Sequence, residues 1–317
     1  MRVLFAGSPE ITVPAMAAVV RDHDLVGVLT NPQAPKGRGL RASPTPVARA
    51  AADLVPGVPI LEFERLGPEA RQAVAALNPE ILVCFAYGRI FGPRFLALFP
   101  WGGINVHPSL LPKYRGCAPI PCAILNRESE TGITVQRLAP RMDSGAILAR
   151  EVIPLYGRET AESLSGLMAE LGADILASVL ARIEQGEIVE EEQDEGRATY
   201  CSILRKEDGR VDWASGVLDI DARIRAFHPW PGAYTELRGR RVNLLDSMPY
   251  PDERGPESPG GLAKPGTVVA LDRSRGIMIQ TGDGLLALRR LQFQTKKPMP
   301  FLDFANGVRD IVGTRFL

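Results

Sequence analysis

The stretch INVHPSLLPKYRGCAPI, Ile104 to Ile120, joins an apolar run to a loop that contains three prolines. It places His107, one of only three histidines in the chain, directly after the apolar residues. Pro108 disfavours helical backbone angles at the residue before it, so the chain stays extended up to His107. The pattern predicts a buried strand that ends at His107, followed by a stiff loop that would suit an active site.

Apolar runs of this kind recur in the first half of the chain and alternate with helical patterns. Nearly continuous apolar runs are typical of strands covered on both faces, and the alternation predicts an α/β fold with a parallel sheet between helices. The predicted strands are Arg2–Ala6, Leu25–Thr30, Ile81–Phe85, Gly103–His107, Ile133–Leu138 and Ile147–Ile153, and the predicted helices between them are Pro14–Arg21, Pro46–Leu54 and Pro68–Leu77.

The clearest helix begins after Thr160, a predicted N-cap with Glu162 in the first turn. An apolar stripe at spacings of three and four runs to Gln185, and Gly186 is the predicted C′ residue. A polar, acidic segment follows, so we expect an α/β domain over residues 1–190, a linker over 191–206 and a second domain over 207–317. Short β-branched runs such as GTVVAL and GIMIQT predict that the second domain is a small β-barrel or sandwich.

Composition excludes several classes of protein. The chain has 317 residues, 45% hydrophobic and 23% charged, with a formal net charge of zero, which argues against a global attraction for nucleic acid. Its four cysteines form no C-x-x-C pair, and no Cys/His spacing suits a metal, so we expect reduced thiols and no metal. We find no signal peptide and no run of about 18 apolar residues. We therefore expect a cytoplasmic protein without a membrane span. Because no exposed apolar stripe stands out in the sequence, we expect a monomer.

Asn105, His107 and Asp143 are the candidate catalytic residues. Asn105 lies two residues before His107, so both side chains point to the same side of one strand. In open α/β sheets the carboxyl ends of strands are where ligands bind, and Asn and His can both donate hydrogen bonds to a forming oxyanion. Asp143, in a Gly-bearing loop, could orient the imidazole and favour its charged form. The alternatives are that Asn105 and His107 are strand-end residues satisfied by backbone groups and that Asp143 is a turn residue that bonds its own backbone.

Other chemistries have weaker support. Ser109 lacks a G-x-S-x-G elbow and lies too close along the chain to His107, and Cys117 has no neighbour that obviously activates a thiolate. The first turn, FAGSPE, lacks G-x-G-x-x-G, so a dinucleotide site there is not expected. The loop PKGRGLRASPTP, residues 35–46, carries basic residues and no acidic one. Such a loop either orders on a phosphate backbone or is simply solvated.

Seven segments carry a resemblance to a known family. FAGSPE, KGRG, VCFAYGRI, the opening stretch, ETGITVQRLAPRMDSGAIL, IRAFHPWPGAY and TGDGLLAL occur in this order. Over essentially its full length the chain resembles the methionyl-tRNA formyltransferases, which are folate-dependent formyltransferases. The resemblance implies a Rossmann-like catalytic domain followed by an OB-like β-barrel. It also implies a cis peptide bond between Leu111 and Pro112.

The activity implied by the resemblance is transfer of the formyl group of 10-formyltetrahydrofolate to the α-amino group of methionyl initiator tRNA. In that family the residues that correspond to Asn105, His107 and Asp143 are catalytic. The residues implied to bind the folate co-substrate are Ser109, Leu110, Leu111, Pro112, Ala86, Tyr87 and Gly88. The residues implied to contact the acceptor arm of the tRNA are Lys36, Arg38 and Arg41.

Three other functions stay open at this point. A formyltransferase acting on a sugar nucleotide or a purine precursor would use the same Asn, His and Asp on a small amine. A formyl-folate hydrolase would use water as the acceptor, and an RNA-binding module would not need the three residues at all. The basic loop and the full-length C-terminal domain favour the tRNA substrate. Residues 205–317 contain 18 Lys and Arg against 14 Asp and Glu, a mild excess that fits a basic docking face or ordinary solvated charge equally well.

Overall fold

The computed structural model describes residues 1–36, 41–253, 255 and 263–317, and these form two units. The first unit contains Met1–Pro119, Glu130–Pro154 and Leu164–Ser202. The second unit contains Ile120–Ser129, Leu155–Ser163 and Ile203–Leu317. Two short segments of the first half therefore group with the C-terminal part, which local periodicity did not indicate.

A seven-stranded sheet in the order β10-β9-β7-β6-β1-β2-β5 forms the centre of the first unit. The strands of this unit are β1 (Arg2–Gly7), β2 (Asp24–Thr30), β3 (Ala34–Lys36), β4 (Arg41–Ser43), β5 (Ile60–Glu62), β6 (Ile81–Phe85), β7 (Gly103–His107), β8 (Arg115–Gly116), β9 (Glu130–Arg137), β10 (Ile147–Pro154) and β11 (Tyr200–Cys201). Five strands of the sheet are parallel, which confirms the Rossmann-like class.

Two strands differ from the predicted parallel arrangement. β9 pairs antiparallel with β7, and β10 pairs antiparallel with β9. β9 and β10 are joined by a loop of residues 138–146, and a connection without a crossover helix returns the chain in the opposite direction. Arg137 at the end of β9 pairs with Ile104 near the start of β7, so the loop begins beside the amino end of β7. The loop folds back along β7, and its Asp143 lies 3.7 Å from His107.

Helices cover both faces of the sheet. The helices that begin before residue 190 are α1 (Val13–Asp22), α2 (Pro46–Leu54), α3 (Pro68–Ala76), α4 (Pro93–Leu96), α5 (Pro119–Leu125) and α6 (Ala161–Gln185). Cys84 packs in a cluster with Val74 of α3 and Phe95 of α4. The next residue, Phe85, points to the opposite face and lies under Gly172 of α6, where a Cβ atom would approach its ring to 3.4 Å.

The long helix α6 has the predicted ends. The Thr160 hydroxyl accepts a hydrogen bond from the Ser163 amide at 3.1 Å, which is an N-cap, and Gly186 has a φ of +73° after the last turn. By length and composition α6 could cross a membrane, and half of its most apolar window of 18 residues is buried. Met168 and Val179 of the predicted stripe are fully buried, as expected for a stripe that faces a core, whereas Leu167 is 46% exposed.

An antiparallel sheet forms the second unit, as the short runs predicted. Its elements are α7 (Val217–Ala226), β12 (Ala233–Leu237), β13 (Arg240–Tyr250), β14 (Val268–Asp272), β15 (Gly276–Gln280), β16 (Leu285–Phe293), β17 (Met299–Pro300) and α8 (Phe301–Asn306). The strand order is β12-β13-β16-β15-β14, with β17 beside β16. The Thr281 amide donates to the Gly284 carbonyl at 2.9 Å, which closes the hairpin between β15 and β16.

The chain end closes this sheet on itself. Phe316 forms a bridge with Leu237 of β12, and Arg315 forms one with Thr267, just before β14. The two edge strands are thus joined through residues 314–317, which gives the barrel-like closure that the resemblance implied. Closing a sheet in this way removes its exposed edges.

The segment predicted as a linker, residues 191–206, contributes to the first unit in part. Glu191 forms an antiparallel bridge with Ile147 of β10, and β11 pairs in parallel with β8. The domain boundaries at 190 and 206 stay a prediction.

Candidate active site

β7 delivers two of the candidate residues to the carboxyl edge of the sheet. Asn105 is 8% exposed and His107 is 4% exposed, and both belong to a strand whose residues are all buried. The strand is held between β6 and β9, so neither side chain has freedom to leave this edge. The alternation of side chains along a strand places the two on the same face, as predicted.

The two ring nitrogens of His107 have different partners. Nε2 lies 2.9 Å from the carbonyl oxygen of Tyr114, and a carbonyl can only accept, so Nε2 carries a proton. Nδ1 faces the carboxylate of Asp143, with 3.7 Å to Oδ1. Nδ1 is therefore the nitrogen that can gain or lose a proton at this site.

Asp143 lies in the β9–β10 loop with a φ of +51°, in the left-handed region. One carboxylate oxygen accepts from the Gly116 amide at 2.8 Å. The other accepts from the side-chain amides of Gln136 at 3.1 Å and Asn105 at 3.4 Å. These bonds run to other elements rather than back to its own turn, so the alternative of a simple turn Asp does not fit.

The three candidates line one cavity of about 350 Å³. Ala86, Tyr87 and Gly88, predicted to bind the folate, also line it. Residues that the sequence reasoning did not single out complete the wall, among them Cys84, Pro119, Gln136, Leu138, Ala139, Pro140 and Met142. The cavity thus brings the predicted catalytic and folate-loop residues together.

The segment Ser109–Pro112 does not line this cavity. The Ser109 hydroxyl donates to the Lys113 carbonyl at 2.6 Å and the side chain is fully buried, which leaves no free hydroxyl for a nucleophile. Leu111 is buried, and the Leu111–Pro112 peptide bond is cis, as the resemblance implied. The folate role of these four residues stays a prediction.

Burial changes the acidity of two groups in the cavity wall. It raises the pKa of the Cys84 thiol to about 12 and the pKa of the Tyr87 phenol to about 12. Both groups therefore stay protonated near neutral pH. The Tyr87 hydroxyl has no hydrogen-bond partner within the part of the chain that the structure describes, and its ring stacks on Phe91 with centroids 5.5 Å apart.

Arg115 and Gln193 form a buried pair that the sequence reasoning missed. The guanidinium of Arg115 is fully buried and donates to the Gln193 side-chain oxygen, from Nη2 at 2.8 Å and from Nε at 3.1 Å. Gln193 stands within an acidic, polar stretch that looked like a solvated linker. A Gln in such a stretch gives no sequence signal of burial. Arg115 did have a signal, because it belongs to the stretch Ile104–Ile120 that indicated the active site.

The basic loop lies largely outside the described residues. Arg38 falls in the gap between residues 36 and 41. The backbones of Lys36 and Arg41 pair antiparallel at the base of the loop. Their predicted role in contacting tRNA stays a prediction.

Across the described ranges, no group of three or more His, Cys, Asp or Glu side chains could hold a metal ion. The polar side chains of the cavity include two amides, an imidazole and a carboxylate near the end of a buried strand. This donor set is suited to stabilising an oxyanion and moving a proton.

Family models match both units of the chain. The model described as formyl transferase matches residues 1–180, and the model described as formyl transferase, C-terminal domain, matches residues 203–309. The chain therefore belongs to the formyl transferase family. Solved structures of other formyltransferases share the fold: an N-formyltransferase of Helicobacter canadensis has a TM-score of 0.65 at 19% identity, covering 91% of this chain and 98% of that one.

Full-length relatives define the branch of the family. The methionyl-tRNA formyltransferase of Treponema denticola is 44% identical over 98% of this chain and 98% of its own length. That of Solibacter usitatus is 39% identical over 98% of this chain and 96% of its own length. The chain is a member of the methionyl-tRNA formyltransferases.

Proposed function

We propose that the protein transfers the formyl group of 10-formyltetrahydrofolate to the α-amino group of methionyl initiator tRNA. The products are N-formylmethionyl-tRNA and tetrahydrofolate. The observation that carries the proposal is the meeting of Asn105, His107 and Asp143 in one cavity with the 86–88 loop. The full-length relatives support the tRNA substrate.

The chemistry needs a neutral amine and a stabilised oxyanion. The amine nitrogen attacks the formyl carbon, and the carbonyl oxygen gains negative charge as the new C–N bond forms. The side-chain amide of Asn105 has two N–H groups, of which one points to Asp143. The second N–H and a protonated Nδ1 of His107 are the donors we assign to the oxyanion.

The proton balance follows from the two partners of His107. The attacking amine must lose a proton, and N10 of the folate must gain one when the C–N bond to it breaks. Nε2 is held by the Tyr114 carbonyl, so we route the proton through Nδ1 or through water in the cavity. The carboxylate of Asp143 at 3.7 Å balances the charge of an imidazolium.

We assign the tRNA contacts to Lys36, Arg38 and Arg41 and to basic residues of the second unit. These lie on the adjacent strands β13 and β16 and just after β16. They are Arg240, Arg241, Arg289, Arg290, Lys296 and Lys297. Within the described part of the chain none of these six forms an ion pair, so their charge is available to phosphates.

A single assay tests the proposal. The purified protein is mixed with 10-formyltetrahydrofolate labelled in the formyl group and with charged initiator tRNA, and labelled formylmethionyl-tRNA is expected. Methionyl-tRNA whose amine has been acetylated is the control, because it cannot accept the formyl group. Label released as formate, or accepted only by a sugar nucleotide or purine precursor, would overturn the proposal in favour of one of the alternatives.

A further inference from the structure

We propose that Gln193 is a positioning residue that fixes the loop of Asp143 in its active geometry. The inference rests on the proposed formyl transfer, since that reaction gives Asp143 its role. Gln193 follows α6 and is separated from Asp143 by 50 residues of sequence. Its side chain is buried in the first unit, with 9% exposure.

The amide nitrogen of Gln193 reaches three acceptors in or beside the loop. Nε2 lies 2.9 Å from the carbonyl oxygen of Asp143 and 2.7 Å from that of Gly145. It also lies 3.1 Å from the side-chain oxygen of Gln136. One side chain therefore ties down the backbone on both sides of Ser144.

Arg115 fixes the orientation of this amide. Its Nε and Nη2 both donate to the Gln193 oxygen. Because a guanidinium can only donate, the oxygen of the amide must face Arg115 and the nitrogen must face the loop carbonyls. If the amide were reversed, its NH2 group would face the N–H groups of Arg115, and its oxygen would face the carbonyl oxygens of Asp143 and Gly145.

The loop needs this support because its conformation is unusual. A φ of +51° is uncommon for an Asp residue, and such conformations persist where surrounding contacts over-determine them. Gly145 has no room for a side chain, since a Cβ atom would overlap the carbonyl oxygen of Arg137. The distance from Asp143 to His107 thus depends on how firmly the loop backbone is held.

A pair of matched variants tests the role. Gln193→Glu keeps an acceptor for Arg115 and nearly the same shape, but it turns an oxygen towards the two carbonyls. Glu195→Gln is the control: it alters another partner of Arg115, at 2.9 Å, and leaves the hydrogen bonds to the backbone of the Asp143 loop in place. It does weaken a contact with the loop side chain of Arg141, but this is an exposed ion pair at 3.4 Å, which contributes little in water.

We expect Gln193→Glu to lower kcat by roughly 10- to 100-fold, because displacing a reacting group by about 1 Å can cost on the order of 100-fold. The stoichiometry of tetrahydrofolate binding should be preserved, and Glu195→Gln should retain kcat. If Gln193→Glu fails to fold, Gln193→Met, which keeps the length without the charge, replaces it with the same expected loss.

A double-mutant cycle separates positioning from general weakening of the fold. In an Asp143→Asn background, Gln193→Glu should add little further loss, because its effect passes through Asp143. The inference would be overturned if Gln193→Glu left kcat unchanged. It would also be overturned if Gln193→Glu lowered kcat by the same factor in the wild-type and Asp143→Asn backgrounds. An inactive wild-type protein would instead overturn the proposed function.

Discussion

His107 donates from Nε2 to the carbonyl oxygen of Tyr114 at 2.9 Å, seven residues further along the chain. This bond fixes both the ring orientation and the tautomer, so that Nδ1 is directed at Asp143. The proline-rich stretch after the strand thus folds back so that its Tyr114 carbonyl contacts the histidine that ends the strand. The direction of Nδ1 in the cavity depends on this hydrogen bond.

Removing either proposed oxyanion donor should reduce the rate strongly. Asn105→Ala and His107→Ala should each lower kcat on the order of 10²–10³-fold, as for other oxyanion donors. The measurement is steady-state formylation of methionyl-tRNA, with circular dichroism and tetrahydrofolate binding as evidence of an intact fold. Near-normal kcat in either variant would show that the assignment is wrong.

Replacing Arg38 should separate the two substrates. Arg38→Ala should raise KM for charged tRNA by about 10-fold, since a charge-assisted contact contributes about 1.5 kcal/mol, and reduce the slope of log affinity against log salt by about 1. KM for the folate should not change. The matched control is Arg21→Ala, an exposed arginine paired with Asp22. An equal loss for both substrates would contradict this division.

Thiol labelling should report on the cavity. Cys117 is exposed and lines the cavity, whereas Cys84 is buried with a pKa raised to about 12 by that burial. Iodoacetamide should therefore modify Cys117 and spare Cys84, and tetrahydrofolate should slow the modification of Cys117. Mass spectrometry of peptides gives both rates, with Cys117→Ser as the control. A rate that is insensitive to tetrahydrofolate would place the folate elsewhere.

Closure of the C-terminal sheet should make a large contribution to its stability. Phe316 is 1% exposed and its ring centroid lies 6.0 Å from that of Trp213. Phe316→Ala should cost about 3–5 kcal/mol in the free energy of unfolding, measured by urea denaturation. The neighbouring Leu317 is 55% exposed, so Leu317→Ala should cost less than about 0.5 kcal/mol. An equal loss of unfolding free energy in Phe316→Ala and Leu317→Ala would contradict the proposed role of Phe316 in packing.

The Arg115–Glu195 pair should make stability fall in acid. Hydrogen bonds from Arg115 hold the pKa of Glu195 below its usual value of 4.5. Because the pKa is lowered by folding, the contribution of the pair is present above that value and is lost as the pH falls through the lowered pKa. Glu195→Gln should abolish this part of the acid sensitivity.

The measurement is the urea midpoint followed from neutral to acid pH. The difference between the wild-type protein and Glu195→Gln should shrink as the pH falls below 4.5. The exposed neighbour Glu192 provides a control carboxylate through Glu192→Gln. A difference that grows on acidification would have the wrong sign for this pair.

Local patterns in the sequence were enough to predict part of the fold and of the candidate site. A strand alternates its side chains, so Asn105 and His107 had to share a face, and the apolar runs had to form buried strands. Thr160 and Gly186 could be assigned as helix ends because capping depends on nearby backbone groups. The resemblance added the cis bond before Pro112 and the catalytic role that it implies for the three candidates.

Tertiary structure alone decided what depends on contacts between distant segments. The antiparallel direction of β9 and β10, the burial of Gln193 in an acidic stretch and the bridges from Phe316 to β12 have no local signature. From the sequence alone, β9 and β10 could be strands of either direction, the segment of Gln193 is typical of a solvated linker, and the residues around Phe316 are typical of a frayed chain end. Their roles come from which hydrogen-bonding groups lie opposite them once the chain is folded.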